Sequence, residues 1–170
     1  MLRYLLYIYM PLCLTFGLSS CVSDEKTDYG PSLAVGEQLP AFRVWLSDGS
    51  EVSDQSLRGK PGVIVFFTTT CPDCRRAMPG IEEVYRAWKT QAQFVCIGRE
   101  ETAGKVSAYW QEQGYTIPWS AQEDRTVYEL FASRYVPRVF VFDAQGTVRA
   151  SFVEEVDTVQ LQQALRSCMK

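Results

Sequence analysis

The stretch that most limits how this 170-residue chain can fold is GVIVFFTTTCPDCRRAMP, residues 62–79. Its first half is a continuous apolar and β-branched run with no polar alternation, which predicts a strand covered on both faces. Beyond it, Met78, Ile81, Val84, Tyr85 and Trp88 recur at helical spacing, with Glu82, Glu83, Arg86 and Lys89 on the other side. A helix therefore begins at the Cys71/Cys74 pair, and Pro79 should kink it. A strand buried on both faces needs layers above and below, so the class is α/β.

The rest of the chain supplies those layers. PAFRVWLSDGSEVS alternates around Asp48-Gly49 and predicts a hairpin at the start of the domain. QFVCIG (93–98) is a second buried strand. TAGKVSAYWQEQG follows as a helix with Ala103, Val106, Tyr109 and Trp110 inward and Gly114 as its stop. TVYELFASRY gives a short helix, RVFVFD (138–143) a strand, and DAQG a turn into the strand TVRASFV. The C-terminal helix opens with Asp157 as cap and Gln160 three residues on, and its apolar face is Leu161, Ala164, Leu165 and Cys168. Early strand–helix alternation and a late hairpin predict a mixed central sheet with helices on both faces.

Net charge is −3 with acidic and basic residues interspersed, which excludes the basic footprint of a nucleic-acid binder. The chain has no histidine, so Ser-His or Cys-His hydrolysis and His-containing metal sites are excluded as well.

At the N-terminus, Arg3 precedes the apolar stretch YLLYIYMPLCLTFGL (4–18), short for a membrane span of about 20 residues but suited to an export leader. LSSC then resembles the lipobox of bacterial lipoproteins. That resemblance implies a signal peptide over 1–20, lipidation of Cys21, a tether over 21–35 and a folded domain over 36–170. It also implies a lipid anchor in the membrane of the cell envelope, facing the periplasm or the outside. The alternative is a chance cysteine at the end of an ordinary leader. In such a compartment a close cysteine pair can be oxidised, reduced or cycling.

The element order, with CPDC at the end of the first long strand, resembles the thioredoxin superfamily, and within it the lipid-anchored thiol-disulfide oxidoreductases of the TlpA and ResA type. FFTTTCPDCRRAMP, YVPRVFVFDAQG and SLRGKPGVIVFF carry the resemblance, which covers roughly 36–168. It implies a thioredoxin-like fold, a monomer, protein disulfides or dithiols as substrates, an upstream membrane electron donor and no cofactor. It further implies a cis bond before Pro137, with Val136 pairing to a substrate strand. Four positions depart from the family: Thr70 replaces its usual Trp, Ala77 an acid, Val65 the buried Asp of thioredoxins, and Arg138 a frequent Thr.

Thiol–disulfide exchange needs a thiolate. At a helix N-terminus Cys71 meets unpaired backbone N–H groups and the positive end of the helix dipole, both of which favour the anion. Cys71 is the expected nucleophile, and Cys74, one turn further in, the resolving thiol. Pro72 stiffens the loop. Asp73 opposes the thiolate unless Arg75 and Arg76 turn back toward it.

Three other readings compete. A zinc site would need Cys71, Cys74, Cys96 and Cys168, but the last two lie in apolar patterns and read as core. A peroxidase of the AhpC/TSA (peroxiredoxin-like) type would share the fold and a Thr three residues before the reactive Cys, as Thr68 is, but would carry Pro at the position of Ile64. A permanent structural disulfide would close too small a loop to contribute much entropic stabilisation.

Overall fold

The computed structural model describes residue 30 and residues 32–169. The expected signal peptide, Cys21 and most of the tether lie outside the described residues. Residues 32–34, at the end of that tether, already pair with the domain: the Leu33 amide donates to Phe131 O at 2.7 Å, and the Ala34 amide to Glu37 Oε2 at 2.7 Å.

A two-stranded hairpin, β1 (Arg43–Trp45) and β2 (Glu51–Ser53), precedes the main sheet. Its turn needs Gly49, whose φ is 84°. The main sheet contains β3 (Gly62–Phe67), β4 (Gln93–Arg99), β5 (Trp119–Gln122), β6 (Arg138–Phe142) and β7 (Val148–Val153), in the spatial order β5-β4-β3-β6-β7. β3, β4 and β5 are parallel, while β6 and β7 run antiparallel to their neighbours. β3 is central and its residues 63–67 have no exposed surface, which accounts for the unbroken apolar run.

The helices are α1 (Pro72–Trp88), α2 (Ala103–Gln113), α3 (Thr126–Glu129) and α4 (Thr158–Ser167). Successive strand residues face opposite sides, so the partners of Phe66 and Phe67 identify the layers. Phe67 stacks on Trp110 of α2 at 4.9 Å, and Phe94 on Tyr85 of α1 at 5.4 Å; α4 packs beside α1. Phe66 meets Tyr128 of α3 at 5.4 Å and Phe131 just beyond it at 4.9 Å, and Phe42, ahead of β1, stacks on Phe131. Helices therefore cover both faces of a mixed sheet. This is a thioredoxin-like fold.

Local chemistry ends the helices where the sequence predicts. Thr102 caps α2 by accepting from the Lys105 amide, and Gly114 terminates it at φ 67°. Asp157 Oδ1 accepts from the amides of Val159 and Gln160 at 2.8 and 3.2 Å. α1 continues through Pro79 to Trp88.

Three details differ from expectation. Glu82 is buried, because its carboxylate accepts from Thr116 N, Thr116 Oγ1 and Ile117 N at 3.0, 2.6 and 3.2 Å and pairs with Arg86 at 2.7 Å. Ala103 is exposed, since it starts α2 before the helix reaches the core at Val106. β5 has no counterpart in the sequence reading; WSAQ is short and polar, and pairing with β4 makes it a strand.

Candidate active site

β3 ends at Phe67, and three threonines carry the chain to Cys71 at the N-cap of α1. Pro72 occupies the first turn, where a missing N–H costs nothing and its fixed φ suits a helix. Cys71 has φ −71° and ψ 123°, and no side-chain cap bond occupies this terminus. The first amides of α1 therefore have no intrahelical partners, at the terminus where Cys71 is the N-cap.

The two sulfurs have different environments. Cys71 is half-buried and Cys74 has no exposed surface; both are free thiols, in side-chain hydrogen-bonding contact with each other. Burial pushes the Cys74 thiol far above its ordinary value. A hydrogen bond with the Thr68 backbone opposes this, and the nearby Cys71 and Asp73 add to it. Cys96 is fully buried and Cys168 half-buried, and burial raises both thiols.

The approach to Cys71 is clamped by Glu101, which the sequence does not single out, and by Arg75, which it places near the loop. Glu101, 4% exposed, accepts through Oε1 from the Thr69 amide at 2.7 Å and from Thr69 Oγ1 at 2.9 Å. Arg75 Nε donates to the Thr69 carbonyl at 2.9 Å, and its guanidinium lies 5.4 Å from the Tyr109 ring centre. Thr69 is thus fixed on both sides, whereas Thr70 faces solvent. The sequence signal for Glu101 was slight, an acidic residue just before the Thr102 cap. Arg76 pairs with Asp73, so the loop acid carries its own counter-charge.

The Val136–Pro137 peptide is cis. Val136 is buried, and its carbonyl accepts from the Cys71 thiol at 3.3 Å. The structure thus brings Cys71, Cys74, Val136 and Pro137 to one end of the sheet, with Pro72 and Asp73 in the first turn beside them.

A parallel-and-antiparallel sheet carrying a Cys-x-x-Cys pair at the start of its first crossover helix, facing a cis-proline loop, defines the class: a thioredoxin-fold dithiol protein. Within it the chain belongs to the AhpC/TSA family, whose pattern matches residues 35–151. It is similar to the thiol-disulfide oxidoreductase YkuV of Bacillus subtilis, 27% identical over 117 residues, 66% of this chain and 78% of that protein. The thiol-disulfide oxidoreductase ResA of Bacillus thuringiensis is 23% identical over 135 residues, 79% of this chain and 78% of that one. Among solved structures, a thiol:disulfide interchange protein of the thioredoxin family from Chlorobium tepidum superposes with a TM-score of 0.70 at 26% identity, covering 81% of this chain and 99% of that one.

Proposed function

We propose that this protein is a thiol–disulfide oxidoreductase of the cell envelope, acting as a monomer held to a membrane through lipidated Cys21. The observation that carries the reading is the asymmetry of the pair: a half-exposed Cys71 on a helix N-terminus, backed by a fully buried Cys74. Its naming relatives support the reaction class.

The Cys71 thiolate attacks one sulfur of a substrate protein's disulfide, forms a mixed disulfide and releases the other sulfur as a thiolate. Cys74 then gives up its proton to the thiolate just released and attacks the Cys71 sulfur, which releases the second substrate thiolate and leaves a Cys71–Cys74 disulfide. The substrate has gained two electrons; a membrane dithiol donor returns them to the pair. The same steps run backwards with a dithiol substrate. Burial keeps Cys74 protonated until the mixed disulfide forms beside it, so the entering thiol does not compete with the substrate. A substrate backbone lies along Val136 and Pro137, where an amide of its own replaces the Cys71 thiol at the Val136 carbonyl.

Trapping tests this assignment. Cys74→Ser should accumulate covalent, reductant-sensitive complexes with substrate proteins and Cys71→Ser none; equal trapping by both would overturn it. For the anchor, radiolabelled palmitate should enter the wild-type chain and not Cys21→Ala.

A second reading, a thiol peroxidase, is favoured by the AhpC/TSA pattern and by Thr68 three residues before Cys71. Against it, the position where peroxidases carry proline is Ile64, in the middle of β3, and a second thiol stands at Cys74. Faster consumption of hydrogen peroxide than of insulin disulfides by the purified domain would favour the peroxidase.

A further inference from the structure

Between α3 and β6 the chain crosses from Leu130 to Pro137 without regular secondary structure, so its carbonyls need partners from elsewhere. Side chains supply them in series. Arg125 Nη2 donates to Ser133 O at 2.7 Å, Arg138 Nε to Arg134 O at 3.1 Å, and the Tyr128 hydroxyl to Tyr135 O at 2.7 Å. The next carbonyl is that of Val136, which faces Cys71, and Pro137 O then accepts from the Glu154 amide at 3.0 Å. Tyr135 has φ 64°, a left-handed conformation unfavourable for a residue with a Cβ, and such a residue persists only where its surroundings hold it.

The donors are themselves immobilised. Arg138 and Tyr128 are each 2% exposed and their side chains are hydrogen-bonded to each other. The guanidinium of Arg99 lies 4.8 Å from the Tyr128 ring centre and that of Arg125 5.3 Å. Glu129 pairs with Arg125 at 3.1 Å, and Glu100 lies within 3.5 Å of both Arg99 and Arg125. Arg138 occupies a position that the thioredoxin-like resemblance often fills with Thr. A Thr side chain there is too short to make both the Tyr128 and the Arg134 bonds.

We propose that Arg125, Tyr128 and Arg138 are positioning residues that hold the Val136 carbonyl in the place where a substrate backbone must meet it. This rests on the oxidoreductase reading above. The brace acts on docking of a polypeptide and leaves the sulfur chemistry alone, so a disulfide without a peptide backbone is insensitive to it.

The test compares reduced wild type, Tyr128→Phe, Arg138→Lys and Arg138→Met on insulin and on cystamine. Tyr128→Phe removes one hydroxyl and should raise the KM for insulin about fivefold at little change in kcat, with cystamine rates within about twofold of wild type. Arg138→Met should raise it further. Arg138→Lys should fall between wild type and Arg138→Met, because it keeps the charge but loses the planar fork. An unchanged insulin KM in Tyr128→Phe overturns the brace, as does an equal loss on both substrates accompanied by a lower melting temperature. Should Arg138→Met fail to fold, Tyr128→Phe decides alone. Hydrogen exchange reads the brace without any activity: protection of the Glu154 amide, which donates to Pro137 O, should fall in Tyr128→Phe, and unchanged protection there overturns it. Wild type inactive on both disulfides would instead sink the oxidoreductase reading.

Discussion

The Cys71 thiol donates to the Val136 carbonyl at 3.3 Å across 65 positions of sequence. The contact follows from the sheet. β3 and β6 are antiparallel neighbours with Phe66 opposite Arg138, so the end of one strand and the start of the other lie side by side. Cys71 is just beyond the first and Val136 just before the second.

The two thiols should be separable by alkylation. Near pH 7.5, iodoacetamide should modify Cys71 at least about fiftyfold faster than Cys74, because Cys74 is buried and its thiolate is strongly disfavoured. Peptide mass spectrometry with time reads both rates, and Cys74 labelling should rise steadily through the alkaline range. Equal rates at neutral pH would remove the basis for assigning Cys71 as nucleophile.

Glu82 should make the fold acid-sensitive. Burial raises its carboxyl, but hydrogen bonds from Thr116 Oγ1, the Thr116 amide, Arg86 and the Ile117 amide outweigh burial and hold it below the usual glutamate value. A depressed folded value means that the stabilisation is complete above the unfolded value near pH 4.3 and is lost as pH falls through the folded one. Glu82→Ala should cost about 2–4 kcal/mol at neutral pH and flatten stability against pH below about pH 4.5, as measured by urea unfolding.

Glu101→Ala would leave the buried Thr69 amide without its partner. The expected loss is about 1–3 kcal/mol of stability, with a roughly tenfold lower kcat on insulin as the loop before Cys71 loosens. Glu101→Gln keeps a carbonyl oxygen for that amide and should recover most of both. Thermal unfolding and turnover of the same samples check the pair.

Two glycines should respond in opposite directions. A Cβ at Gly62 would sit 2.5 Å from both the Gln93 carbonyl oxygen and Phe142 Cζ, so Gly62→Ala should destabilise by about 2 kcal/mol or more. Gly104, in the first turn of α2, has nothing within 4 Å of that position, and Gly104→Ala should stabilise by about 0.5–1 kcal/mol. Denaturant midpoints measure both.

By itself the sequence determined what depends on near neighbours. The unbroken run of β3, the start of α1 at the cysteine pair, the Asp157 cap and the Gly114 stop are each set within a few residues, by side-chain period or by a terminus needing a partner. Tertiary structure decided what depends on distant ones. Glu82 was placed on the polar face by its spacing, and amides 34 and 35 positions away drew it inside. Glu101 reaches Thr69 across 32 positions, and β5 exists because β4 offers it an edge. A buried carboxylate or a short polar strand is stable only where the fold delivers its hydrogen-bond partners, and local periodicity carries no record of that delivery.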